Sequence, residues 1–406
     1  MSALKYWLWL SSLRGLGQAR AAALIDALGS PENIYSAGED EWLAAADVPE
    51  PALAELRLRS TDRAERILEL CDRTNTRVLT MQDSYYPERL RSLYAPPCVL
   101  YYKGQLPSID EEAALAVVGT RNPTAYGQNT ALKLCYRLAA GGMLIVSGLA
   151  KGIDAAAHLG ALRAGKPTVA VLGCGVDVVY PAENRELYED IAAAGTLLSE
   201  YPPGTRAEGP HFPARNRIIS GLSLGVLIVE APAGSGALIT ASHALEQGRD
   251  VFAVPGNIDS RESEGCHRLI REGAILAARA EDVWVEYQAL FPHKLTLTAP
   301  KTPAHMPRLP DTGRTVRPGS GEDGSAPAPS GESGVPVKAI DLTERVKDYP
   351  PDQQRILLTV AGSAMAADEI IGVTGLPAPL VLSGLTMLEL DGVVSQMPGK
   401  RYTLNL

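Results

Sequence analysis

The chain has 406 residues, 46% of them hydrophobic and 21% charged, which is ordinary for a globular protein and long enough for two or three domains with a sizeable core. Its formal net charge of −9 argues against a protein that coats nucleic acid non-specifically, because such proteins are basic. Any nucleic-acid contact must come from a local basic patch on an acidic body.

The first stretch, MSALKYWLWLSSLRG, holds an apolar patch too short to span a membrane, and no small-residue cleavage site follows it. It reads as an amphipathic first helix, and no membrane partner is expected. Residues 1–75 read as an all-helical domain of SAM or helix-hairpin-helix type. In it, LRGLGQAR at 13–20 followed by AAALIDAL has the cadence of helix, glycine turn, helix. Such a turn can present backbone amides to a DNA phosphate, or it can simply make a corner in a helical packing domain. Next comes a connector rich in Tyr and Pro, Thr80 to Tyr102. Val99–Tyr102 reads there as a strand feeding the sheet, and the tyrosines either stack on bases or glue neighbouring domains.

From Leu115 the chain alternates strand and helix. Leu115–Val118, Met143–Val146, Thr168–Leu172, Leu197–Glu200, Leu224–Glu230 and Asp250–Val254 are short apolar runs, the last taken as the final strand. Helices are expected over Tyr126–Ala140 and from Asp154, Ala182, Asn216 and Thr240. Near-continuous apolar strands separated by helices define an α/β fold, an extended Rossmann-like parallel sheet covered on both faces. The domain is assigned to residues 76–292. Residues 293–338 are rich in Pro, Gly, Ser and Thr and poor in apolar side chains, which predicts a flexible linker. In 339–406, three helices and a hairpin read as a winged-helix domain. Its groove-facing helix, PAPLVLSGLTMLEL, holds no Lys or Arg, and from Asp341 onward there are eight acidic and five basic residues. With few cations to drive DNA binding, the wing reads as a protein-interaction or dimerisation element.

Chemistry is expected at the carboxyl ends of the parallel strands, where open α/β sheets bind ligands. Helix amino termini there favour anions, so the default ligand carries phosphate. The turn Gly119-Thr120-Arg121 adds a cation. Ser147, Gly148 and Gly152 permit close backbone approach, and Ser235 and Gly236 do the same across the sheet. The densest motif is HFPARNR at 211–217. Arg215, Asn216 and Arg217 follow Pro213 at an expected helix start, which sets two guanidiniums beside a positive helix end, with Phe212 offering a face for a base. The bland alternative is that Phe212 caps the core while the arginines pair with Glu200 or Glu230.

The GxGxxG dinucleotide fingerprint is missing from the turns after the strands (its one match, at 319–324, lies in the Pro/Gly/Ser-rich stretch), and GxxxxGK[ST] does not occur, which disfavours NAD and ATP. The five cysteines (Cys71, Cys98, Cys135, Cys174 and Cys266) form no CxxC pair, which disfavours disulfides and metal clusters and fits a reducing cytosol. No cofactor and no metal are therefore expected. Asp154 and His158, at i and i+4, could form an acid/base pair, but a helix cap with a histidine packed behind it explains them better. Cys174 lies between two glycines, where it is either exposed or simply small enough for a tight turn.

Seven ordered blocks, GTR at 119–121, SGLAKGID at 147–154, LGCGVDVVYP at 172–181, SEYPPGT at 199–205, FPARNRIISGLS at 212–223, SGALITA at 235–241 and EQGRDVFAVPGNI at 246–258, resemble the DNA-processing protein A (DprA/Smf) family. The motif-bearing likeness spans roughly residues 80–290, and the helical and winged flanks match that family's three-part architecture more loosely. The resemblance implies a cytoplasmic, dimeric protein, joined through its Rossmann-like domain. Such a protein binds single-stranded DNA and loads RecA onto it in transformation and recombination, without catalytic turnover. It also implies that Arg121, Phe212, Arg215 and Asn216 contact the strand. The competing reading is a nucleotide-binding enzyme, since the same fold resembles cytokinin-activating phosphoribohydrolases. Here, however, the turn APAGSG at 231–236 lacks that family's paired glycines, and the helix after it offers Glu246 without the catalytic Arg/Glu arrangement.

Overall fold

The computed structural model describes residues 3–296, 349–360, 365–390, 394–397 and 401–404. The expected linker over 293–338 lies almost wholly outside them. The chain divides into two compact units, Met1–Val316 and Arg317–Leu406.

The first unit is organised by a nine-stranded sheet. Its strands are β1 (Arg77–Thr80), β2 (Val99–Gly104), β3 (Ala114–Val118), β4 (Leu144–Ser147), β5 (Thr168–Leu172), β6 (Thr196–Ser199), β7 (Gly225–Ile228), β8 (Asp250–Ala253) and β9 (Ile275–Leu276). The spatial order is β1-β2-β6-β5-β4-β3-β7-β8-β9. From β6 to β9 every pairing is parallel. The expected parallel sheet is thus present, and two strands extend it at one edge, where β1 pairs with β2 and β2 with β6 in antiparallel fashion. Likewise β8 is not the last strand, because the two-residue β9 extends the sheet beside it.

Side chains alternate across the pleat. Ala114, Ala116 and Val118 of β3 pack on one face with Ile218, Ile219 and Ala241, and Leu115 and Val117 pack on the other with Ala131, Leu138 and Ile153. Helices thus cover both faces, which is why the strands read as continuous apolar runs. The order reverses at β3. The chain runs outward through β4, β5 and β6, then returns to place β7 on the other side of β3, which opens a crevice at the strands' carboxyl ends.

Residues before β1 form six helices, from Leu4–Ser11 to Asp62–Thr74. The first is not amphipathic as expected. Trp7, Leu8, Trp9 and Leu10 are all buried, in a core shared with Tyr101, Leu172 and Leu197 of the sheet. A helix enclosed by other helices and a sheet edge has no solvent face to mark with polar residues. Gly15 and Gly17 both take positive φ, so the glycine turn is a conformational requirement there.

The second unit contains helices Pro351–Val360, Ala367–Thr374 and Ala378–Leu390. A small sheet of β10 (Met365–Ala366), β11 (Val394–Met397) and β12 (Arg401–Leu404) completes it, in the order β10-β12-β11. Ile356, Ile370, Val381 and Leu385 form its core. This is the winged-helix arrangement expected, with one extra short strand. Among the described residues no helix is long and apolar enough to cross a membrane.

Candidate nucleic-acid interface

The crevice is a cleft of about 800 Å³ whose walls include Gly119, Thr120, Arg121, Asp154, Tyr180, Phe212, Arg215, Asn216, Ser235 and Gly236. A smaller hollow of about 290 Å³ adjoins it, sharing Arg121, Tyr180, Phe212 and Arg215 and reaching Gly148, Gly173 and Cys174. Loops from the carboxyl ends of β3, β4, β5, β6 and β7 therefore converge on the edge where the sequence places the chemistry.

Three of the helix amino ends at this edge belong to the helices that follow β3, β4 and β7, and two of these are already filled. Helix Ala125–Ala140 is capped by Thr124, whose hydroxyl accepts from Gly127 N–H at 3.1 Å. The Glu230 carboxylate in turn accepts from the Thr124 amide and hydroxyl at 2.9 and 2.6 Å. A Cβ on Gly127 would lie 2.1 Å from that carboxylate. Helix Ile153–Arg163 carries Asp154 in its own first turn, where it accepts from Gly148 N–H at 3.1 Å. The βαβ unit of β3 and β4 has thus supplied its own anions. The third end, helix Ala237–Glu246 behind Ser235 and Gly236, opens on the cleft, and its dipole favours an anion there.

Helix His211–Gly221 starts five residues earlier than expected, with Pro213 inside its first turn, where a missing N–H costs nothing. Arg215 and Arg217 are therefore not at a helix end, and each has an internal partner. Arg215 is 4% exposed, and its Nη1 donates to the carbonyls of Gly148, at 2.9 Å, and Val171. Burial lowers its pKa, opposed by the nearby Asp154 carboxylate. Burial likewise raises the pKa of Asp154, against the pull of Arg215. Arg215 is thus a brace beneath the cleft rather than an open phosphate ligand. Arg217 pairs with the buried carboxylate of Glu200, so its expected DNA contact in this cleft is corrected to an ion pair.

Arg121 is different. It is exposed, forms no ion pair among the described residues, and sits over the Phe212 ring with its guanidinium 5.5 Å from the centroid. Phe212 lies against Gly173, where a Cβ would come within 2.8 Å of the ring, and Tyr180 stands beside it with centroids 5.3 Å apart and planes at 30°. Tyr180 is 44% exposed. This stack of cation and two aromatics forms one wall, and the amino end of helix Ala237–Glu246 faces the same cleft. In the sequence only an aromatic side chain near a loop end, next to last in the block LGCGVDVVYP, marks Tyr180.

The remaining expected residues divide in two. Gly119, Thr120, Asn216, Ser235 and Gly236 line the cleft, and Gly148 lines the adjoining hollow. Ser147 and Gly152 line neither. Ser147 is fully buried, and its hydroxyl donates to Val117 O at 2.6 Å. Gly152 has φ of +82°, and a Cβ there would lie 2.5 Å from Thr120 O. Both are corrected from ligand contacts to supports for the loops.

His158 is fully buried. Thr168 donates its hydroxyl to Ile145 O at 2.7 Å and so accepts from His158 Nδ1–H at 2.8 Å. That leaves Nε2 as the unprotonated nitrogen, without a partner. Burial, aided by Arg215, pushes its pKa down to about 3, so it is a neutral packing residue. Cys174 is buried too, its thiol pushed up to about 11, chiefly by burial. All five cysteines are free thiols. Glu246, the acid on which the enzyme reading relied, ends its helix on the side away from the cleft, beside His243.

These features define a doubly wound α/β protein with an open crevice at the switch point of its sheet and no dinucleotide fingerprint. Residues 77–288 match the family model described as DNA recombination-mediator protein A, and residues 342–400 match the DprA winged helix domain. The chain is 39% identical over 412 residues to Protein Smf of Synechocystis sp., covering 98% of each. It is also 42% identical to the DNA processing protein DprA of Bacillus subtilis over 54% of this chain and 74% of that one. The crystal structure of DNA processing protein A from Streptococcus pneumoniae superposes with a TM-score of 0.62 at 36% identity, covering 70% of this chain and 99% of that one. The chain belongs to the DNA-processing protein A (DprA/Smf) family.

Proposed function

We propose that this protein binds single-stranded DNA in the cleft, shields it, and delivers it to RecA as a recombination mediator without catalytic turnover. The observation that carries this reading is the exposed Arg121 guanidinium stacked on Phe212 beside Tyr180. A cation beside open aromatic faces suits a backbone phosphate with its neighbouring base. The relatives' names, which describe DNA processing and recombination mediation, support the same class. On this reading the strand-binding domain is residues 76–292, behind a helical domain (1–75). It works in the cytoplasm as a homodimer joined through the sheet domain. Residues 339–406, tethered by the linker 293–338, engage a protein partner through a helix, Ala378–Leu390, that exposes Leu380, Leu382 and Met387.

Titrating labelled oligo-dT beside a RecA filament assay on protein-coated DNA tests it. Salt-sensitive binding to single strands with faster filament growth is expected. Absence of binding sinks the proposal. Release of free base from a nucleoside monophosphate would instead support the phosphoribohydrolase-like reading, although Glu246 is poorly placed to catalyse it.

A further inference from the structure

We infer that the chain carries a second strand-binding subsite at the carboxyl end of helix Ala237–Glu246, formed by Arg217, Arg249, Gln247 and Tyr94, for a phosphodiester and base further along the strand held in the first cleft. This rests on the single-stranded DNA reading of that cleft. The subsite is a separate hollow of about 290 Å³, lined also by Leu93 and His243.

Its polar atoms are incompletely used. Arg217 Nη1, Arg249 Nε and Gln247 Oε1 are shielded from solvent, and none has a hydrogen-bond partner. Shielded polar atoms without partners are costly and uncommon in folded proteins. Arg249 forms no ion pair among the described residues, and its Nη2 reaches only the Arg89 carbonyl at 3.5 Å. The Arg249 guanidinium, the unpartnered Nη1 of the Glu200-paired Arg217 and an amide oxygen around one hollow suit an oxyanion with an adjacent hydrogen-bond donor, as a nucleotide supplies. The carboxylate on the rim, Glu246, is largely exposed and lies 3.4 Å from His243 Nδ1.

Tyr94 supplies the stacking face. It is 93% exposed, an unusual state for a tyrosine with no solvent-facing role. It forms the ridge between this hollow and a larger one of about 890 Å³ that holds Arg20 and Arg91. Two neighbouring helices link the two subsites. His211–Gly221 gives Phe212 and Arg215 to the cleft and Arg217 to the hollow, and Ala237–Glu246 runs from one to the other. Ten residues of helix span about 15 Å, a distance that a strand several nucleotides long covers and a single nucleotide does not.

The test is a polarisation titration with oligo-dT of about six and about twenty nucleotides, within the range of known single-strand site sizes and beyond it. The double variant Tyr94→Ala with Arg249→Ala should bind the short oligonucleotide like wild type. It should bind the long one about tenfold more weakly, with a salt slope shallower by about 0.7, the value of one phosphate contact on single strands. Tyr94→Phe keeps the ring and should retain long-strand affinity. The inference is overturned if the double variant matches wild type on the long strand, or loses both lengths equally. If wild type binds neither length, the reading of the first cleft fails and takes this one with it, a result plainly distinct from the other two.

Discussion

Arg121→Ala separates binding from folding more cleanly than any other change in the cleft. The side chain is exposed, and it lies over the Phe212 ring at 5.5 Å. A cation–π contact at an exposed site contributes about 0.5–1 kcal/mol, so the melting temperature should move little. A lost charge-assisted contact to phosphate costs about 1.5–3 kcal/mol, or about 10- to 100-fold in Kd at 1.4 kcal/mol per decade. If the partner is a backbone phosphate, the slope of log K against log salt should also become shallower by about 0.7. Polarisation of labelled oligo-dT at several salt concentrations, beside a thermal melt, reads all three quantities. Unchanged affinity and slope in a folded variant would refute the assignment of Arg121. A large drop in melting temperature would show that its role is structural.

Four further outcomes follow from the same geometry. Arg215→Ala should act through stability, with a loss on the order of 3 kcal/mol in urea denaturation, because it leaves Asp154 buried without its cation and two carbonyls without a donor. Normal stability with weak binding would return Arg215 to the ligand. Tyr180→Ala should weaken oligo-dT by about 1–3 kcal/mol, the range for one stacked base, while Tyr180→Phe should not. Gly152→Ala should destabilise by about 1–3 kcal/mol, because φ is +82° and the new methyl meets Thr120 O; an unchanged melt would contradict the close approach. His158 sets a pH dependence. Its folded pKa of about 3 lies below the unfolded value of about 6.5, so the unfolded chain binds the extra proton first. Stability is then full above about pH 6.5 and declines toward pH 3, by up to about 1.4 kcal/mol per pH unit from this group. Denaturation midpoints at pH 7 and pH 5 should converge in His158→Asn relative to wild type.

The strands of the central sheet were readable because burial on both faces leaves no polar alternation to confuse them. Thr168–Leu172 shows this best, its bounds agreeing to the residue. The edges were not readable. Ile275–Leu276 is too short to carry a pattern, and Arg77–Thr80 has two of its four residues at least partly exposed. In the candidate site the loops were identifiable from glycine and strand ends. The use of each charge was not, because pairing is a three-dimensional property. Arg215 and Arg217 stand two apart on one helix and read alike, yet one braces backbone carbonyls and the other meets Glu200. Glu230, which occupies the amino end of helix Ala125–Ala140, is 106 residues from the Thr124 it holds. The helix begins at His211 rather than the expected Asn216, because the first turn of a helix accepts a proline such as Pro213.

The central claim is that a DNA strand lies in the cleft against Arg121, Phe212 and Tyr180. Photo-crosslinking of a halogenated-uracil oligonucleotide to the full chain, followed by peptide mass spectrometry, tests it most directly. Crosslinks on the peptides bearing Tyr180 and Phe212, lost when unlabelled oligo-dT competes, are the predicted result. Competable crosslinks confined to the winged-helix residues or the amino-terminal helices, with none in the cleft, would contradict it.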